Sequence, residues 1–253
     1  VFWEQEANNV KKKHLPIGFL SCHEVAVWRI SMLKLNNVSY RYNNKHQTVE
    51  AVKDVSAEFG RGKFYVILGR SGSGKTTLLS LLAALDRPSA GEVLYGNTDL
   101  SKLDASNYRL NKAAVIYQSY NLFPLLTVLE NVRLPLQIQK VEKSKAQEAA
   151  AGALEQVGLD EKYFKRYPSM LSGGEQQRVA IARALASGSE ILLADEPTGN
   201  LDTENSLAIV SILCKLAHEE NKLVITVTHD LEIAIRADEA FEMSDGRLNR
   251  RGI

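Results

Sequence analysis

Cysteine is scarce in this chain: Cys22 and Cys214 stand far apart, with no CxxC pair. That excludes a disulfide framework and a cysteine-built zinc site, and it fits a reducing compartment in which both thiols are buried and inert. No apolar run approaches the ~20 residues a membrane-crossing helix needs, and the N-terminus lacks the long apolar core of a secretory leader. The expectation is a chain that does not itself enter the membrane. A dominant charge is missing too, since 31 basic residues face 30 acidic ones for a net of +1. Such a balance gives no field that would favour nucleic acid or an anionic lipid surface as the main partner, so partners must be argued from local sites. Internal repeats and low-complexity tracts are absent as well.

What is present is regular. Residues 1–31 show a charge run, Lys11, Lys12, Lys13 and His14, without sustained periodicity, and the pattern starts at Met32. We therefore expect the functional domain to span 32–253, with 1–31 either a genuine extension or sequence added by an upstream start. Loose alternation through Leu33, Leu35, Val38, Tyr40 and Tyr42, then Val52, Val55, Ala57 and Phe59, predicts two antiparallel strands. Short apolar strands at 64–68, 113–117, 191–194 and 223–227 alternate with helical segments, the first of them at 76–85. That alternation predicts a mostly parallel sheet with helices on both faces. Residues 127–186 carry helix signals almost throughout. Thr127 with Glu130, Ser144 with Gln147, and Ser172 with Glu175 match the capping-box spacing, and Gly158 suits a helix stop. The architecture expected is α/β: a P-loop NTPase core, an N-terminal antiparallel β subdomain and an inserted α-helical subdomain at about 119–187.

Chemistry concentrates at three places. Gly69, Arg70, Ser71, Gly72, Ser73, Gly74, Lys75 and Thr76 match G-x-x-x-x-G-K-[ST], between a predicted strand and a predicted helix, with Thr77 following. The glycines let successive N–H groups converge on one anion at a helix N-terminus. Lys75 is expected to reach the β- and γ-phosphates and Thr76 to bind Mg²⁺. An ordinary glycine-rich turn would produce such a match by chance on the order of once in a hundred chains of this length. Downstream, the apolar strand at 191–194 ends in Asp195 and Glu196. Two acids at the exit of a buried strand are costly unless an ion or a reaction uses them. Asp195 is expected to support Mg²⁺ and Glu196 to hold the attacking water as general base.

The third place is the run Leu171, Ser172, Gly173, Gly174, Glu175, Gln176, Gln177, Arg178. Ser172 and Glu175 can cap the following helix while the two glycines leave its N–H groups open to a second phosphate surface. One chain already has a P-loop for its γ-phosphate, so a second phosphate surface implies another protomer. On this segment the sequence resembles the ABC ATPases, in which the signature closes on ATP held by the opposite subunit. The resemblance covers about 32–250 and implies ATP and Mg²⁺ as cofactors. It implies that Gln118 is the Q-loop glutamine beside Mg²⁺ and the water, that Asn200, Leu201 and Asp202 form the D-loop, and that His229 contacts the γ-phosphate. It further implies adenine stacking on Tyr42, with Tyr40 as the competing aromatic.

Within the family, Leu85, Asp86, Arg87 and Pro88, the run from Pro197 to Asp202, and Glu130, Asn131 and Val132 leading to Leu134, Pro135 and Leu136 resemble one branch. That branch contains lipoprotein-releasing, macrolide- or antimicrobial-peptide-exporting and FtsE-like ATPases. It implies an ATPase homodimer, peripheral on the cytoplasmic face of the membrane through a separate transmembrane permease. Either a lipophilic or peptide-like substrate is exported or extracted, or, as in the FtsE-like case, force passes to cell-wall enzymes without transport. Arg70 in the phosphate loop and Met170 before the signature depart from the usual pattern. DNA-repair ATPases share both phosphate motifs, but they place a long coiled coil between them, and no sustained heptads run from Thr77 to Leu171. Leu122, Phe123 and Leu125 follow Gln118 on a Pro-containing connection. In the family this region receives a cytoplasmic helix of the permease; the alternative is that these side chains cover the helical subdomain's own core.

Overall fold

A computed structural model describes residues 31–43 and 48–252. The expectation for residues 1–31 lies, except for Ser31, outside the described residues. Strands β1 (Leu33–Asn43) and β2 (Thr48–Phe59) form the expected antiparallel pair. β3 (Lys63–Leu68) runs into the phosphate loop and helix α1 (Lys75–Leu82). β4 (Ala90–Tyr95) and the short β5 (Thr98–Asp99) return to the first sheet, whose order is β2-β1-β4-β5. Helix α2 (Ala105–Asn111) leads to β6 (Ala113–Tyr117), followed by the helical insertion α3 (Val128–Ile138), α4 (Lys143–Gln156) and α5 (Gly173–Ala186). The chain then completes the larger sheet with β7 (Ile191–Asp195), α6 (Thr203–His218), β8 (Leu223–Thr228), α7 (Leu231–Ala234), β9 (Glu239–Ser244) and β10 (Arg247–Arg251). Its order is β10-β9-β3-β8-β7-β6, parallel except for β10.

Burial explains this sheet. Along β3, Phe64, Val66 and Leu68 enter one core with α3, α4, α5 and α6, while Tyr65 and Ile67 enter a second core with α1 and the antiparallel sheet. Both faces are covered, which is why the strands read as unbroken apolar runs. Helices lie on both faces as expected, and the antiparallel sheet shares one of those faces with α1.

Two of the three capping boxes form. Thr127 and Glu130 exchange hydrogen bonds at the start of α3, and Ser172 and Glu175 do so at the start of α5. The Ser144–Gln147 box does not. Helix α4 starts earlier, capped by Glu142, whose carboxylate accepts from the N–H of Ser144 at 3.0 Å. Glu142 caps the helix two residues sooner, so Ser144 lies inside it. Gly158 ends α4 in the left-handed region at φ 77°, and the N–H of Leu159 donates to the carbonyl of Leu154.

Candidate functional site

The phosphate loop is shaped by contacts that exclude side chains. Gly74, at φ 107°, precedes α1, and a Cβ there would lie 2.2 Å from the carbonyl oxygen of Ala51. A Cβ on Gly69 would meet the Met243 carbonyl at 2.5 Å and Ser73 Oγ at 2.6 Å. Gly72, at φ 79°, faces open space, so only its backbone conformation requires glycine. No side chain caps α1 among the described residues, and its first turn holds no acid. Its leading N–H groups are left for an anion, which is the chemistry of a phosphate site. Lys75 is buried beneath the loop, and its Nζ donates to the carbonyls of Gly69 at 2.8 Å and Arg70 at 3.0 Å.

Two open depressions flank the loop. One is lined by Tyr42, Ala51, Ser71, Gly72, Gly74, Lys75, Thr76, Thr77 and Gly246. Tyr42 Oη lies 3.1 Å from Thr77 Oγ1. Tyr40 instead turns edge-on to Tyr42 and bonds Asp86, which leaves Tyr42 as the aromatic at the loop. The other depression is lined by Arg70, Ser71, Thr76, Gln118, Asp195, Glu196 and His229. It brings together residues from four strand ends, because the C-terminal ends of parallel β3, β6, β7 and β8 lie side by side. Arg70 is exposed at its rim. Gly69 and Ser73 line neither depression; they pack underneath.

Within this second depression Thr76 Oγ1 donates to Asp195 Oδ1 at 3.2 Å. Burial pushes the Asp195 carboxyl above its ordinary value, the Thr76 hydrogen bond opposes that, and the neighbouring Glu196 charge adds to it. Glu196 Oε2 lies 3.2 Å from His229 Nδ1, and Oε1 lies 3.9 Å from Lys75 Nζ. Glu196 also holds a left-handed backbone, φ 44°, fixed by its N–H to the Val227 carbonyl and by its carbonyl to the N–H of Gly199. Strain of this kind in a non-glycine residue persists only where the surroundings impose it. Gln118 Nε2 donates to Asn200 Oδ1 at 3.3 Å, and Asn200 Nδ2 donates back to the Gln118 carbonyl at 3.2 Å. Gly199 makes this approach possible, since a Cβ there would stand 2.6 Å from Gln118 Nε2.

Ser172, Gly173, Gly174 and Glu175 line neither depression. They form the first turn of α5, where a Cβ on Gly174 would lie 2.3 Å from Asn205 Oδ1. Asp202 caps α6, and its hydrogen bonds from Asn205 hold its carboxyl below the ordinary range.

A family model described as "ABC transporter" matches residues 52–199. The chain belongs to the ABC transporter ATP-binding family. It is 42% identical over 217 residues to an uncharacterised ABC transporter ATP-binding protein, YclH of Bacillus subtilis, covering 86% of this chain and 95% of YclH. With MJ0796 of Methanocaldococcus jannaschii, also described as an uncharacterised ABC transporter ATP-binding protein, it shares 41% over 225 residues, covering 87% and 96%. The solved dimeric structure of MJ0796 in a post-hydrolysis state, bound to ADP and Pi, superposes with a TM-score of 0.80 at 38% identity, covering 88% of this chain and all of that one. CbiO1 of Clostridium perfringens, part of the ABC transporter complex cbiONQ, gives 0.78 at 28%, covering 87% of each. This ABC cassette is an ATP-binding ATPase subunit, and no helix among its described residues is long and apolar enough to cross a membrane.

Sequence reasoning missed three features of the cassette's site. The left-handed backbone of Glu196 has no local signature. Asn131 is fully buried on α3 and makes four hydrogen bonds to the loop at 123–127, accepting from the N–H of Phe123 and donating to the carbonyls of Phe123, Leu126 and Thr127. Arg183 of α5 bonds the carbonyls of Tyr120 and Asn121. The Asn131 signal was present only as a resemblance, because the partners lie across a loop. Of the apolar loop residues, Leu122 packs on the core, Phe123 is half exposed and Leu125 is 88% exposed.

Proposed function

We propose that this subunit works as a homodimer on the cytoplasmic face of a membrane, binding two ATP between its protomers and driving a separate transmembrane permease. The observation that carries this reading is the convergence of Thr76, Gln118, Asp195, Glu196 and His229 beside an uncapped helix N-terminus. The dimeric structures of MJ0796 support the homodimer, and CbiO1, as part of the cbiONQ complex, supports a multi-subunit setting. The functional domain is 32–253, with about 119–187 as the helical unit. Branch resemblance supports export or extraction of a lipophilic or peptide-like substrate.

Each residue has a role that its position allows. Lys75 exchanges the Gly69 and Arg70 carbonyls for β- and γ-phosphate oxygens, while the N–H groups of residues 71–76 surround the phosphates. Tyr42 stacks on adenine. Thr76, Gln118 and Asp195 offer only oxygen ligands, and among the described residues no cluster of three or more His, Cys, Asp or Glu could hold a metal alone. That set fits Mg²⁺ carried with the phosphates, where it would neutralise developing charge on the γ-phosphate. Glu196 accepts the proton of the water that attacks the γ-phosphorus, and His229 orients Glu196 and the phosphate. Ser172, Gly173, Gly174 and Glu175 meet the ATP of the second copy, and Asp202 faces the interface.

Glu196→Gln keeps shape and hydrogen bonding but removes proton acceptance. Turnover should fall about 10²-fold or more while ATP binding survives, so the variant should accumulate as an ATP-locked dimer in gel filtration. Hydrolysis at the native rate would overturn the assignment.

A further inference from the structure

Helix α5 begins at the proposed trans-acting phosphate surface, and its last turn carries Arg183. The Arg183 guanidinium donates through Nη1 to the Asn121 carbonyl at 2.6 Å and through Nη2 to the Tyr120 carbonyl at 2.9 Å. Among the described residues no carboxylate forms an ion pair with it, and burial lowers its pKa; the two carbonyls accept its hydrogen bonds. A planar fork matched to consecutive carbonyls fixes direction as well as distance.

The segment it holds would not keep its shape unaided. Tyr120 and Asn121 are consecutive non-glycine residues in the left-handed region, at φ 61° and 48°. They stand two and three residues after Gln118. The Tyr120 hydroxyl also reaches the other end of α5, where a Cβ on Gly173 would lie 2.9 Å from it. The same added Cβ would lie 3.2 Å from Leu201 Cδ2, and Asn200 beside Leu201 bonds Gln118. A closed ring of contacts therefore joins Gln118, the 200–202 loop, the first turn of α5 and Tyr120, and Arg183 anchors it to the body of the helix.

We propose that Arg183 is a positioning residue that makes the Gln118 loop and α5 move as one body, so that the nucleotide state read at Gln118 in one protomer sets the position of the phosphate-binding end of α5 offered to the other. This rests on the trans-acting role of Ser172 given above. Arg183 touches neither nucleotide; it links the two sites of the dimer.

The test uses the full chain with Arg183→Lys, which can reach one carbonyl but cannot fork, and Arg183→Met. Turnover is measured against ATP concentration, nucleotide affinity against dilute protein, and melting temperature without nucleotide. The native chain should show a Hill coefficient approaching 2 for two sites, and both variants should fall to about 1 with nucleotide affinity within about twofold of native. A variant that melts lower yet keeps the native Hill coefficient makes Arg183 a structural tie only and overturns the proposal. Ser172→Arg separates the two levels. If it hydrolyses cooperatively, the trans reading fails and the proposal falls with it; if it does not, while Arg183→Lys behaves as native, only the proposal fails. Hydrogen exchange on the native chain supplies the remaining arm should a variant not fold: a non-hydrolysable ATP analogue should change protection at 119–121 and 173–176 together. Independent responses of the two segments would refute the linkage.

Discussion

Glu196 combines a strained backbone with the proposed chemistry, and two substitutions separate these properties. Glu196→Ala and Glu196→Gly both remove the contacts to His229 and Lys75, so they lose the same side-chain interactions. They differ in the backbone, which the Val227 and Gly199 hydrogen bonds hold at φ 44°. A left-handed conformation costs an L-residue about 1–2 kcal/mol and glycine almost nothing. Glycine gives back about 0.5–1 kcal/mol through its freer unfolded chain. The glycine variant should therefore be the more stable of the two by about 0.5–1 kcal/mol, which for a domain of this size is about 1–4 °C in melting temperature. Both should lose turnover by about 10²-fold or more, because neither can accept the proton. Differential scanning calorimetry without nucleotide, paired with phosphate release, reads both properties. Equal melting temperatures would show that the strain is not held in the native state, and native turnover in either variant would remove Glu196 from the reaction.

Gly74→Ala places a Cβ 2.2 Å from a backbone carbonyl at φ 107°, so it should destabilise the fold by about 2 kcal/mol or more and abolish nucleotide binding. Gly72→Ala, with open space around it, should cost less in the same melting assay. Asp195 carries a raised pKa, so its contribution to stability is present below the ordinary carboxylate range and lost as pH rises through the raised value. Asp195→Asn should accordingly melt higher than native at neutral pH without nucleotide, with the gain shrinking on acidification, and a constant gain at all pH values would contradict the desolvation argument. Phe123→Ala should leave the isolated subunit folded and hydrolysing ATP while abolishing stimulation by the proposed permease; a drop in melting temperature with stimulation intact would make Phe123 a core residue.

Features written within a few consecutive residues were legible in the sequence. The phosphate loop lies between β3 and α1, the acids end β7, and the boxes at Thr127 and Ser172 form, because each depends on spacing along one element. The strands β4 and β9 were not legible: Glu92, Glu239 and Glu242 interrupt their apolar pattern, and lateral pairing with β1 and β3 defines them. Tertiary structure also chose Tyr42 over Tyr40 at the loop, Glu142 over Ser144 as a cap, and the left-handed turns at Tyr120, Asn121 and Glu196. The site itself needed both. Sequence supplied Thr76, Gln118, the pair Asp195 and Glu196, and His229 near the ends of separate elements, and the parallel order β3-β8-β7-β6 brought those ends to one edge. Strand order depends on contacts between residues far apart in the chain, whereas a local motif records only its neighbours.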